Sequence, residues 1–332
     1  MSGPIPNVAP MELPTRAGLV PRTLRLYRSE IATAAAIVLI DVGVSIWAPE
    51  VFTGGNVANI AQASAPLIIM ALGELLVVIA GGIDLSVGST FSLTGMVSGL
   101  ALSAGLSWPV ACLIGLLVGT GVGLANGLLV TLVGLAPFVV TLISYAVAGS
   151  LAFVITDGHS IAILDPDLWM LNGGALIPGI TNYVLFCVVG VAAVEFALRK
   201  LVLGRWVYAI GSNDRAARLL GIPVRFTRCG VYMLSGIFAS FASVLSLSYI
   251  SNAEATSGSN MMLQAIAACV IGGASLLGGT GSAVGALLGA IMITVIQNGV
   301  NLIGINSFWQ GSVTGLVILV AVLIDRASKS RN

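Results

Sequence analysis

Positive charge in this chain is confined to three places, and that confinement constrains the fold more than any motif does. Arg16, Arg22, Arg25 and Arg28 form the first group. Arg199, Lys200, Arg205, Arg215, Arg218, Arg225 and Arg228 form the second, and Arg326, Lys329 and Arg331 the third. The long stretches between the groups contain no lysine or arginine and are dominated by apolar residues. Only 8% of the 332 residues are charged and 57% are hydrophobic, whereas a soluble domain carries about 25% charged residues. Such a chain cannot clothe itself in a hydrated surface; its apolar runs call for lipid. Lys and Arg collect in the cytoplasmic loops of membrane proteins because translocating them is disfavoured. The N-terminus, a central loop over 199–228 and the C-terminus are therefore expected on the cytoplasmic side, with an even number of spans between successive groups.

Crossing a bilayer takes about 20 mostly apolar residues. On that basis the hydropathy predicts spans near 31–48, 64–81, 86–105, 107–127, 137–156, 182–198, 229–250, 262–278, 283–303 and 307–324. Six precede the central basic loop and four follow it, so both counts are even. The expected architecture is an all-α, polytopic helical bundle of about ten transmembrane helices. Residues 1–28 hold Pro4, Pro6, Pro10, Pro14 and Pro21 among the first arginines and read as a disordered cytoplasmic tail, with no cleavage signal after the first apolar run. A permeation-type membrane domain is expected over 29–325, and 326–332 as a second tail. The outward loops then carry Glu50, Asp157, Asp165, Asp167 and Glu254 and no positive charge.

Several classes of chemistry are excluded. The only lysines are Lys200 and Lys329, neither in a GxxxxGK[ST] setting, so the chain holds no phosphate loop. The lone histidine, His159, cannot build a histidine metal site, and Cys112, Cys187, Cys229 and Cys269 are isolated, with no CxxC. No GxSxG nucleophile setting occurs. The basic residues form no stripe of the kind nucleic acids require, so no nucleic-acid partner is expected.

The polar residues inside the apolar runs are the candidates for function. At Gly81-Gly82-Ile83-Asp84-Leu85-Ser86-Val87-Gly88-Ser89 two glycines interrupt an apolar stretch and a carboxylate and hydroxyls follow. Irregular backbone at membrane depth is tolerated only within protein or beside a wet cavity. The segment is either a discontinuous element lining a pathway or its inner gate, or a helix–turn–helix at the cytoplasmic face with Asp84 as a cap. Glu74 sits within a span with no basic residue in any neighbouring span, and an ionisable group there is a functional hypothesis by default. Asn126, Gln297, Asn298 and Asn301 carry amides that both donate and accept; they could serve a solute's hydroxyls or hold helices together. The stripes Gly115–Gly119–Gly123–Gly127 and Gly281–Gly285–Gly289 predict close helix contact. A fainter echo of the double-glycine break occurs at Ile271-Gly272-Gly273-Ala274-Ser275, and Asn126-Gly127 is echoed by Asn298-Gly299, which suggests an internal duplication.

The central basic loop predicts a short capped helix. Ser212 or Asn213 can cap it, Asp214 suits its first turn and Arg218 its last, and Gly221 followed by Pro223 stops it. Such a helix could pass motion to a cytoplasmic partner, or lie on the membrane surface with none.

These motifs resemble those of the membrane permease subunits of bacterial ribose-, xylose- and galactose-type ABC importers. The resemblance rests on the Gly81–Ser89 segment, Ala125-Asn126-Gly127, Pro137-Phe138-Val139-Val140-Thr141-Leu142, Gly204-Arg205 with Tyr208-Ala209-Ile210-Gly211, the run from Ala265 to Leu276, and Trp309-Gln310 with Gly315. It runs in order over roughly 60–325. It implies a carbohydrate-uptake permease in the bacterial plasma (inner) membrane that is not itself an enzyme. Its expected partners are a second permease copy (homodimer or heterodimer), cytoplasmic ATP-binding subunits that hold ATP-Mg, and an outer solute-binding protein. This chain would bind no cofactor. The segment from Asp214 to Gly221 is similar to the coupling helix of ABC importers, with Ser212, Asn213, Asp214, Ala216, Ala217, Arg218 and Gly221 as coupling residues; both alanines are small enough to enter a cleft on the ATPase. Glu74, Gly81, Gly82, Asp84, Ser86, Asn126, Gln297, Asn298 and Asn301 are the pathway or gate candidates. One departure concerns selectivity: the family's Glu-Leu-Asp before Ala-Ile-Ala-Ala is Met262-Leu263-Gln264 here, so two carboxylates are missing. A stand-alone ion-coupled transporter is the competing expectation, weakened by the absence of Lys and Arg from the spans; a membrane enzyme is the other.

Overall fold

A computed structural model describes residues 28–309 apart from 179, together with 311–313, 315, 316 and 319. The expected N-terminal tail and the last predicted span, near 307–324, fall largely or wholly outside the described residues. The elements in chain order are α1 (Arg28–Ser45), α2 (Gly54–Ile79), α3 (Val87–Ser103), α4 (Trp108–Leu128), α5 (Pro137–Val154), a short α6 (Met170–Gly173), α7 (Asn182–Lys200), α8 (Val202–Ser212), α9 (Asp214–Leu219), α10 (Val224–Ile250), α11 (Ser257–Ile271) and α12 (Ala283–Leu302). The fold is all-helical apart from one small ribbon. Six described helices are long and apolar enough to cross a membrane: α2, α4 with its π-helical continuation Leu129–Val133, α5, α7, α10 and α12. α3 and α11 are apolar but shorter.

α2 is the axis of the bundle. Its 26 residues would extend about 39 Å at 1.5 Å per residue, and every residue from Ser64 to Ile79 is buried. It packs against α7, α10, α11 and α12, while α10 also lies along α3 and α4. A helix apolar on all sides belongs in the interior of a membrane bundle. By contrast α5 leaves Phe138, Val139, Leu142, Ile143, Val147 and Leu151 exposed along its length.

The last three glycines of the α4 stripe are its contact face with α10, while Gly115 meets Thr94 and Ser98 of α3. Gly119 meets Gly236 and Ser240, Gly123 meets the backbone at Tyr232 and Met233, and Gly127 meets Cys229, each so close that a Cβ would collide. The second stripe is shorter than expected: Gly285 packs on Gly272 and Gly289 on Ala268, but Gly281 precedes the helix.

The helix boundaries correct the hydropathy in two places. α2 begins ten residues before its predicted span, because Thr53 caps it by accepting from the Asn56 N–H. The predicted span 262–278 ends early: α11 stops at Ile271, and Gly273 turns the chain with φ +93°. An apolar run of Ala, Ser, Leu and Gly looked membrane-spanning to hydropathy, but its glycines adopt turn geometry.

The two ends of the bundle differ in charge. Arg199, Lys200, Arg205, Arg215, Arg218, Arg225 and Arg228 lie where α7 ends and α10 begins, around α8 and α9. α1 starts at the same end, since Thr33 Oγ1 donates to Ile271 O (3.0 Å) and Ser282 Oγ to Glu30 Oε1 (2.8 Å). At the opposite end β1 (Ile161–Ala162) pairs antiparallel with β2 (Asn252–Ala253). That ribbon ties together the two loops carrying Asp157, Asp165, Asp167 and Glu254, which the spans had placed on one side.

Candidate functional site

Between α2 and α3 the chain leaves helical geometry for residues 80–86, with Gly81 exposed and Gly82, Asp84 and Ser86 buried. Gly81 turns with φ +77°, and Asp84 and Ser86 are each 1% exposed. Asp84 Oδ1 accepts from the Ser86 N–H (2.9 Å) and hydroxyl (2.6 Å), and Oδ2 accepts from the Ser235 hydroxyl of α10 (3.0 Å). The Asp84 N–H donates to Glu74 Oε1 of α2 (3.3 Å). Asn126 of α4 donates to the Ser86 hydroxyl (2.8 Å), and Ser144 of α5 donates to Asn126 Oδ1. Thr141 Oγ1 closes the ring by donating to Ile83 O (3.3 Å).

Thus Glu74, the Asp84–Ser86 pair and Asn126, taken from three separate stretches of the sequence, form one buried network joining α2, α3, α4, α5 and α10. Asp84 accepts no bond from the first turn of α3, which has no side-chain cap; its partners are the loop itself and α10. Glu74 Oε2 and the Tyr232 hydroxyl are buried with no hydrogen-bond partner in the described network. A Cβ on Gly82 would stand 2.5 Å from that hydroxyl. Buried polar networks are costly when partly satisfied and rigid when complete, so these two atoms mark the least settled corner.

The remaining amides lie elsewhere. Asn298 forms a reciprocal pair with Asn56, at 2.9 and 3.0 Å, fastening α12 to the start of α2. Gln297 is half-buried and Asn301 exposed on the same helix. They do not join the Glu74–Asp84 network.

Next to that network is a cavity of about 340 Å³ between α3, α5 and the start of α11. The hydroxyl-bearing residues Ser89, Ser92, Tyr145, Ser150, Thr256 and Ser259 are among those that line it, the exposed wall is mostly apolar, and no lining residue is charged. Ser89 donates to Ser86 O (3.0 Å), so the network and the cavity are contiguous. The Ser92 hydroxyl accepts from Gly258 N–H (2.9 Å) and holds the first turn of α11 against α3. Of this set the sequence reading singled out only the segment that ends at Ser89. The spacing of three in Ser86, Ser89 and Ser92 was the available signal for a wet helix face. The contributions of α5 and the loop before α11 come from distant parts of the chain and left no local signature.

The basic end carries the second candidate region. Asn213 caps α9 by accepting from Ala216 N–H (3.0 Å), and Gly221 ends the turn at φ +78°. Arg218 and Arg228 both bond Asp214, at 2.9 and 3.3 Å. Ser212 donates to Tyr208 O (2.8 Å) and caps nothing. One expectation needs correction: Ala217 is 2% exposed and packs with Ile210 and Val224, so it faces inward and cannot enter a partner. Ala216 is exposed, and beside it Leu219 and Leu220 are 89% and 78% exposed. The 3.6-residue period turns neighbouring alanines to different faces, which their common smallness concealed.

α8 connects this surface to the broken loop. A Cβ on Gly211 would lie 1.7 Å from Ile79 O and 2.6 Å from Gly279 N, so three backbones touch there with no side chain between them. Gly279 N–H donates to Ile79 O (2.9 Å), and Tyr208 OH to Gly281 O (2.7 Å). Burial, with Glu195 nearby, pushes the Tyr208 phenol above its ordinary pKa, partly offset by Arg199; the hydroxyl therefore stays a donor.

The helical bundle thus holds a buried polar network at a break between two of its helices. The family model described as "branched-chain amino acid transport system / permease component" matches residues 56–322, and the chain belongs to this family of transport permeases. A probable ABC transporter permease protein, y4mJ, of Sinorhizobium fredii is 64% identical over 325 residues, covering 98% of this chain and 96% of its own. The ribose import permease protein RbsC of Escherichia coli strain K12 is 37% identical over 294 residues, covering 88% and 91%. The D-allose transport system permease protein AlsC of the same strain is 35% identical over 280 residues, covering 84% and 86%. No solved structure matches. The chain is a permease of the ABC-importer type and not an enzyme.

Proposed function

We propose that this chain forms the translocation pathway of a binding-protein-dependent importer for a neutral, hydroxyl-bearing solute of the sugar class. The cavity beside the Asp84 network carries the reading. Its six hydroxyl-bearing side chains and lack of charge suit a solute that both donates and accepts hydrogen bonds. A free amino acid brings an ammonium and a carboxylate, and desolvating those without partners is costly. The relatives named for ribose and allose support the sugar over the amino acid of the family's description.

In this reading the basic end faces the cytoplasm of a bacterial inner membrane, and both termini lie there after ten spans, the tenth over 307–324. A second permease copy closes the pathway, and an outer solute-binding protein delivers the solute. Cytoplasmic ATP-binding subunits hold ATP-Mg and dock on the exposed surface of α9, while this chain binds no cofactor. The Asp84 network stands at the inner end of the pathway and acts as its gate.

Vesicles containing the assembled transporter decide the matter. ATP-driven accumulation of a labelled neutral pentose or hexose, uncompeted by leucine, is expected. Leucine accumulation uncompeted by sugars would overturn the substrate class. Uptake by this chain alone under an ion gradient would replace the ATP-driven mechanism with the ion-coupled one.

A further inference from the structure

A second cavity, of about 350 Å³, lies at the basic end between the turn that joins α4 to α5 and the start of α10. The solute pathway does not use it. Three guanidinium groups line it, those of Arg218, Arg225 and Arg228, with Thr131 and the backbone around Gly134 opposite. Among the described residues Asp214 is the one carboxylate bonded to this group, and it is shared between Arg218 and Arg228. Three positive charges less one negative leave the cleft at +2. No ion pair involves Arg225 among the described residues. The first turn of α10, a 27-residue helix, forms one wall and adds the partial positive charge of a helix N-terminus.

Exposed apolar residues adjoin the lining in sequence. Leu135 lines the cleft and is 40% exposed, and Leu132, Val133 and Phe226, each next to a lining residue in the chain, are 68%, 62% and 71% exposed. Leu132 and Val133 continue a membrane-spanning helix, so basic cleft and lipid-facing surface meet at the boundary of the apolar layer. Such juxtamembrane basic pockets between helices attract anionic headgroups. Arginine suits phosphate by its planar fork of donors.

We infer that this cleft binds the phosphate of an anionic phospholipid, with the acyl chains leaving over Leu132, Val133 and Phe226. Arg225 and Arg228 would hold the phosphate, and Arg218 links the site to α9 through Asp214. The inference is independent of which solute is carried.

Binding is read on the full-length permease in neutral detergent, by native mass spectrometry with dioleoyl phosphatidylglycerol and dioleoyl phosphatidylcholine. Phosphatidylglycerol is expected to be retained preferentially. Arg225→Gln, at an exposed side chain with no ion pair among the described residues, should weaken that retention about fivefold, from roughly 1 kcal/mol per basic residue near an anionic surface. Arg225→Lys should keep most of it. Equal retention of the two lipids, or a preference unchanged in Arg225→Gln, would overturn the assignment. Displacement of phosphatidylglycerol by millimolar inorganic phosphate would reassign the cleft to a free anion. If Arg225→Gln instead spared lipid retention and lost the ATP-binding subunits, the arginines would belong to a protein interface.

Discussion

Asp84 shows how far a single side chain can be read from sequence and where the fold has to take over. Its position after two glycines left a gate and a helix cap both open, and its carboxylate bonds Ser86 twice and Ser235 across the bundle. Asp84→Asn replaces one accepting oxygen by a donor, so at least one of those bonds is lost, at about 1–3 kcal/mol for a buried, charge-assisted interaction. The expected outcome is an assembled protein with a lowered melting temperature and impaired uptake; unchanged uptake by the assembled variant would remove Asp84 from the gate. Asn298→Ala is the control from the same residue class. It breaks the amide pair with Asn56, so thermal unfolding should shift by about 1 kcal/mol of stability while relative uptake of competing sugars stays the same. The sequence offered no means of separating these two asparagine-type roles. Both Asn126 and Asn298 precede glycine in an apolar helix, and only the packing of α2 and α4 shows that one meets Ser86 and the other meets Asn56.

At the scale of elements, periodicity and caps were legible and the depth of each element was not. Asn213, Asp214, Arg218 and Gly221 outlined α9 because capping chemistry is local. The inward turn of Ala217 depends on α8 and α10, which lie on either side in sequence but meet only in the fold. The two alanines are therefore expected to behave differently. Ala217→Leu should destabilise by about 1–3 kcal/mol through overpacking, seen as reduced yield of folded permease. Ala216→Leu should fold normally and, with Leu219→Ser and Leu220→Ser, weaken capture of the ATP-binding subunits in pull-down from detergent. Normal capture by all three variants would move the docking surface away from α9. The span predicted over 262–278 was overestimated at its end for a related reason: hydropathy measures composition, and a turn rich in glycine, alanine and leucine is as apolar as a helix.

For the whole molecule, the charge groups carried more information than any motif. They separate a basic end from an acidic one, and the ribbon of β1 with β2 joins two acidic loops at one end independently of hydropathy. Reporter domains fused after 160 and 215 are expected to report outside and inside respectively; the reverse at either point would invert the proposed orientation. The bundle's asymmetry of burial was beyond the sequence altogether, because α2 and α5 are similarly apolar and only one of them is enclosed. The contact of Gly211 with Ile79 and Gly279 has a mechanical meaning at this scale. A linkage made of side chains has slack, since each rotamer can yield before the next part moves. Where amide rests on amide there is no such play. Displacement of α8 along that contact must be taken up by the segments it touches, 79–81 and 278–279, and the first of these leads within a few residues to Asp84.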